Sequence, residues 1–403
     1  MKGDRVVITG VGAVSPFGAG AEALCRGISQ GRCPLGPLPG AEHLIDLGAK
    51  AAGLVPEVEA KSIPRVHRRS MSKMGVFACL AAREALERAE LLPYPSDMGL
   101  AIGSTMGSPQ TMTEFFSEYL ASAGFGSLRS TTFFKIMGHG AASSVALALG
   151  LSGRTLAPSA ACAAGLQAVG LGFEAISAGR EKVMLCGGAE EFDLLTALTF
   201  DHILAASHHP DPARASRPFD RDRDGLVCSE GAGVLVLESL SHALARKAPI
   251  LAEVAGFATA TSPANLVHPD PEGIARCMLR AVADAGLQPG DIEAVNAHAT
   301  ATVEGDKAEA EAIEKVFGRI PVNSFKGQLG HTMAASGALE LILSLWMMNN
   351  NLFLPTYNLD NPEEAFSGLI LPKETQKRII STLIKNSFAL GGINASLIVK
   401  KFN

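Results

Sequence analysis

The sequence predicts an α/β protein whose central sheet is buried on both faces, and three observations carry that prediction. Short β-branched segments alternate with longer stretches of helical periodicity. Hydrophobic residues make up 47% of the chain against 19% charged, the balance of a packed globular protein. Glycine is abundant, at 42 residues, while aromatic residues reach only 5%, so small side chains must fill many close helix-to-strand contacts.

Taken in order, RVVITGVGAV (5–14) is β-branched and ends in small turn-forming residues, so it is expected as a strand. The apolar repeat of 73–91 predicts a helix, and GLAIGS (99–104) a second strand. A helix is expected over 162–179, then strands at 181–190, 233–239 and 250–259. The remaining helices fall at 271–286, 305–317 and 335–349, with strands at 294–299 and 395–401. Each half carries a helix that opens on small residues beside a reactive side chain, a hint of duplication. The polar break SHALARKAP (241–249) divides the chain into an N-terminal half, 1–249, and a C-terminal half, 250–403.

Composition excludes several classes. A net charge of -5 leaves no basic footprint for nucleic acid. Seven cysteines with no C-x-x-C pair suggest neither a disulfide framework nor a cysteine metal site, and point to the cytoplasm. The apolar start is short and broken by glycines, unlike a signal peptide, and no stretch is long enough to span a membrane. GVGAVS (10–15) lacks the third glycine of a dinucleotide fingerprint, and no acidic ribose-binding residue follows at the expected distance.

The segment APSAACAAGL (157–166) sets Cys162 at the start of a helix among alanines. There the free N–H groups and the helix dipole favour a thiolate. Partners for a nucleophile come from three stretches. VNAHATATVEGD (295–306) holds His298, and NSFKGQLGHTMAASGALE (323–340) holds Lys326, His331 and Glu340. NSFALGGINAS (386–396) places a glycine pair on a turn before the last strand.

These motifs carry a resemblance. In family order stand RVVITGVGAVSPFG, SAACAAG, RPFDRDRDGLVCSEGAGVLVLE (217–238), NAHATAT with GDKAEAEAI, FKGQLGH, PTYNLDNP (355–362) and NSFALGGINAS. The chain resembles the elongating β-ketoacyl-[acyl-carrier-protein] synthases (KAS I/II) of fatty acid and type II polyketide synthesis. The resemblance implies a thiolase-type fold of two similar halves in five layers, αβαβα. It implies an acyltransferase that condenses malonyl-carrier protein, with loss of CO2, onto an acyl group held on Cys162. His298 and His331 are then the catalytic histidines, Lys326 the catalytic lysine and Glu340 its support. The oxyanion hole falls to the main-chain N–H groups of Cys162 and Leu390. Thr300 and Thr302 match the threonines that hold the pantetheine arm, and Phe388 and Met106 the walls of the substrate tunnel. No metal and no cofactor of the enzyme's own are implied, since phosphopantetheine arrives on the acyl carrier protein.

The implied partners are that carrier, a second copy of the chain, or a chain-length factor in a heterodimer. Arg65, His67, Arg68 and Arg69 offer a local basic patch for an acidic carrier helix, and Phe133 or Phe134 would reach across a dimer interface. A non-catalytic partner subunit is the opposing reading, disfavoured because such subunits lose the cysteine. The chain also departs from the family pattern. Ala299 stands for a glycine, Ala389 and Leu390 stand for the glycine and aromatic of the last turn, and Asn265 and Leu266 stand for a tyrosine-histidine pair. These departures suggest a specialised polyketide or polyene synthase.

Overall fold

Two runs of one element order make the fold, seen here in a computed structural model that describes residues 3–41, 44, 46–122, 129–263 and 268–402. The first run is β1 (Val6–Ser15), α1 (Lys73–Arg88), β2 (Gly99–Gly103), α2 (Gly140–Leu149), β3 (Thr155–Leu156), α3 (Ala164–Ser177), β4 (Val183–Glu190) and β5 (Gly231–Ser239). The second is β6 (Ala252–Thr261), α4 (Pro271–Asp284), β7 (Ala294–Asn296), α5 (Val303–Phe317), β8 (Val322–Asn323), α6 (Ser336–Asn349), β9 (Thr382–Ala389) and β10 (Ile393–Lys400). Strand order is β3-β2-β4-β5-β1 in the first run and β8-β7-β9-β10-β6 in the second. The directions repeat as well. The first three strands of each list are parallel, and the last two join antiparallel. β1 and β6 pair antiparallel, Val6 opposite Val254, so the two sheets meet edge to edge.

Helices cover these sheets because strand alternation gives each sheet two apolar faces. α1 and α2 pack Phe77, Leu86, Val145 and Leu149 onto Leu100, Leu185 and Val234. α4 and α5 pack Met278, Val282 and Ile313 onto Val295, Ile384 and Ile398. Between the sheets lie α3 and α6, where Leu166, Val169 and Ile176 meet Leu339, Ile342 and Leu345. The layers are αβαβα, the thiolase-type arrangement. We divide the chain at 249/250, in the loop before β6. Among the described residues, no helix is long and apolar enough to cross a membrane.

The structure differs from the sequence reading at informative places. The helix expected from 162 begins with a 3-10 turn, Ala161–Ala163, and becomes α3 only at Ala164. β9 was expected only as the turn that follows it. Its run TLIKNSFA buries Lys385 and Asn386 completely, which hides the strand from any apolar pattern. α2 escaped notice because alanine and serine dominate it, leaving no periodic contrast. Asn265 and Leu266 lie outside the described residues.

Candidate active site

Repetition of the fold builds the site. In each half a tight turn feeds the central helix: Ala161–Ala163 before α3, and Met333–Ala335 before α6. Ala161 and Met333 both adopt left-handed backbone, at φ 44° and 47°. That conformation is disfavoured for residues with a side chain, so the surrounding packing must hold it. The two turns lie back to back. A Cβ on Gly165 or Gly188 would stand 2.2 or 2.1 Å from the Ala334 carbonyl oxygen, so only glycine permits this approach. Cys162 on the first turn is thereby set against His331, which lies just before the second.

The contact is direct. Cys162 Sγ lies 2.9 Å from His331 Nε2, and His331 Nδ1 lies 3.0 Å from Ser336 Oγ. Main-chain bonds fix the histidine's strand: its N–H donates to Val227 O, and its carbonyl accepts from Ser229 N–H. His298 follows β7, where its N–H and that of Ala299 donate to Glu309 at 2.9 and 2.7 Å. Its ring stands edge-on to His331 with centroids 5.2 Å apart, and Phe388 lies 6.1 Å away on another side.

Burial dominates the electrostatics. It pushes the Cys162 thiol up to about 12, while Lys326 and the cysteine's own main-chain N–H pull the other way. This reverses the expectation that the helix end would ionise the sulfur, because Cys162 is only 6% exposed and loses its hydration. Both histidines are held well below the ordinary imidazole value by burial first and by Lys326 and Lys385 next, with His331 adding to the effect on His298. The resting site therefore holds a thiol hydrogen-bonded to a neutral imidazole. Behind it, Glu190 is raised to about 7 by burial and accepts from Thr105 N–H.

Beneath the histidines Lys326 Nζ lies 2.5 Å from Glu340 Oε1, and Lys385 Nζ donates to Glu340 Oε2 at 2.6 Å. All three side chains are fully buried. A cavity of about 280 Å³ opens onto Cys162, His298 and His331. Thr300, Thr302, Phe388 and Leu390 line it, and the two threonine hydroxyls lie 3.1 Å apart. Its apolar wall adds Phe200, Leu226 and Ile274. Met106 is not part of that lining; it sits half-exposed on the loop after β2.

Sequence reading missed Lys385 and Ser336, which touch Glu340 and His331, as well as the wall residues. Lys385 sits one residue before the NSF motif, and a lysine inside a strand was the signal available. The run RPFDRDRDG (217–225) is ordered as read, by Arg217–Asp220 at 3.1 Å and Arg223–Asp306 at 3.8 Å. The sulfur and the two imidazoles offer donor atoms within 4.8 Å of one another, close enough to ligate a thiophilic cation. The nearby Lys326 ammonium works against such binding.

Comparison with known proteins shows the family and the fold. Residues 3–243 match the family model for the β-ketoacyl synthase N-terminal domain, and residues 251–360 match that for the C-terminal domain. The 3-oxoacyl-[acyl-carrier-protein] synthase 1 of Haemophilus influenzae is 33% identical over 407 residues, 99% of each chain. A β-ketoacyl synthase structure from Burkholderia phymatum superposes with a TM-score of 0.95 at 37% identity, over 99% of this chain and all of the other. The ishigamide ketosynthase/chain length factor superposes with a TM-score of 0.93 at 30% identity, over the whole of both chains.

Proposed function

The chain belongs to the β-ketoacyl synthase family, and we propose that it joins an acyl group held as a thioester on Cys162 to malonyl-carrier protein, releasing CO2 and 3-ketoacyl-carrier protein. The observation that carries this reading is the 2.9 Å contact between Cys162 Sγ and a buried, neutral His331, at the floor of a cavity that His298 shares.

In the first half-reaction His331 Nε2 takes the thiol proton as the sulfur attacks the incoming thioester carbonyl. The oxyanion is met by the main-chain N–H groups of Cys162 and Leu390, the latter on the three-residue turn between β9 and β10. Collapse breaks the carbon–sulfur bond, and the proton on His331 passes to the departing pantetheine thiolate. The Ser336 hydroxyl can accept from Nδ1–H or donate to Nδ1, so it holds His331 in either tautomer. Thr332 Oγ1, 3.0 Å from Ser336 Oγ, completes that chain of hydroxyls.

In the second half-reaction the malonyl carbon–carboxylate bond breaks and its electron pair forms an enolate. Neutral imidazoles with the proton on Nε2 donate to the developing oxyanion, and His298 suits this role because it lines the cavity beside Cys162 and burial keeps it neutral. The carbanion then attacks the Cys162 thioester, its carbon–sulfur bond breaks, and the expelled thiolate takes a proton from solvent by way of His331 Nε2. Lys326 and Glu340 fix the charge behind the imidazoles, while Thr300 and Thr302 hold the pantetheine arm in the cavity mouth.

The partner is an acyl carrier protein, with Arg65 and Arg69 exposed on the basic turn it would meet. We place the enzyme in the cytoplasm, where its seven free cysteines stay reduced. It works as a dimer, either with itself or with a chain-length factor, a choice that native mass spectrometry makes. Leu390 and Ala389 at the cavity give a smaller gate than an aromatic, which favours a specialised chain over ordinary saturated C6–C14 acyl groups. Intact-mass analysis after incubation with a panel of acyl-carrier proteins tests the reading. A mass gain confined to Cys162 supports it, and no gain with any acyl-carrier protein contradicts it.

A further inference from the structure

Lys385 is a fully buried lysine that the condensation chemistry does not use. Strand alternation turns its side chain from β9 into the central helix layer, while its neighbour Asn386 turns outward to Glu309. Its ammonium donates to Glu340 Oε2 and to the Asn386 carbonyl, both at 2.6 Å. Lys326 Nζ touches the other oxygen of the same carboxylate at 2.5 Å, yet among the described residues it makes no aligned hydrogen bond and neither does Glu340 Oε1. One carboxylate therefore faces two ammonium groups, and its aligned bond goes to Lys385.

A buried charge left short of a counter-charge is costly and needs a reason to persist. Resting on the condensing role above, we propose that Lys385 is a positioning residue. By occupying Glu340 it leaves Lys326 as an unneutralised ammonium behind the two imidazoles. That surplus positive charge disfavours imidazolium and stabilises each anion the reaction forms beside it: thiolate, tetrahedral oxyanion and enolate. Among the described residues, the other ionisable groups facing this layer are Glu309 on α5, Glu190 on β4, Cys162 on the turn before α3 and the two histidines. Glu309 partly offsets the surplus, but it is bound to the main-chain N–H groups of His298 and Ala299. Glu190 is largely uncharged at low pH, since burial raises it to about 7.

The test compares charge with shape. Lys385→Met keeps the volume and removes one positive charge, so Glu340 neutralises Lys326. The double variant Lys385→Met/Glu340→Gln restores the surplus with both original groups gone. The readout is the acid limb of CO2 release from malonyl-pantetheine, which falls as the imidazoles protonate. In K385M that limb moves to higher pH by about one unit, and in the double variant it returns towards the wild-type position. An unmoved limb in K385M, or a shifted one that the second substitution does not reverse, overturns the proposal. Should K385M not fold, Lys385→Gln keeps a hydrogen-bonding head without charge and is read in the same way. No CO2 release from the wild-type enzyme would instead contradict the condensing role. In that case ¹⁵N-histidine resonances titrated in the same variants still decide whether Lys385 keeps the imidazoles neutral.

Discussion

At the scale of single residues, Lys385 shows how a charge can cost stability while serving a site. Burial lowers its pKa from 10.5 to about 8. Below about pH 8 both folded and unfolded chains hold the proton, and the full cost of burying the ammonium applies. Between about 8 and 10.5 the folded chain has released a proton that the unfolded chain still binds, so stability rises with pH across that window. K385M is thus expected to melt at the same or a higher temperature than wild type at pH 7. The advantage should shrink as pH climbs through the window, and a lower melting point at pH 7 would contradict this. The five side chains that the structure gathers at one place, Cys162, His298, Lys326, His331 and Glu340, were legible in the sequence because each sits inside a motif. Lys385 and Ser336 were not, since each acts through a neighbour that only folding supplies.

At the scale of elements, the paired turns before α3 and α6 decide the geometry. Their left-handed residues and the glycines between them bring Cys162 and His331 into contact across 169 positions of sequence. Gly188→Ala would drive a Cβ against the Ala334 carbonyl. The backbone there must give way, at a cost of about 1–3 kcal/mol and a parting of the two turns. Gly290, where an added Cβ would meet no atom within 4 Å beyond its chain neighbours among the described residues, is the control for substitution by alanine. Calorimetry and Cys162 acylation should both fall in G188A and stay unchanged in G290A; equal acylation in the two would refute the role of the close approach. Strands rich in valine and isoleucine, β1 and β5 among them, were readable from sequence. β9 was not, because its polar residues answer to Glu340 and Glu309 on distant helices. α2 was missed because small residues stand on both of its faces and Leu147 is exposed, so buried and exposed sides show no apolar contrast.

At the scale of the whole molecule, the repeated fold explains why one half brings Cys162 and the other brings both imidazoles. The sequence hinted at it only faintly, since the two halves share strand order and direction more than residues. Phe133 and Phe134, 56% and 57% exposed on Ser130–Ile136, give the single chain an apolar face that dimerisation would cover. The central claim is a division of labour: His331 serves acylation of Cys162, and His298 is needed for the enolate step. Its most direct measurement is single-turnover formation of 3-ketoacyl product when acylated wild type and acylated His298→Ala each meet malonyl-carrier protein. His298→Ala should still load Cys162 to within a few-fold of wild type, yet make product at least ~100-fold more slowly. Product at the wild-type rate from the acylated variant would contradict the account.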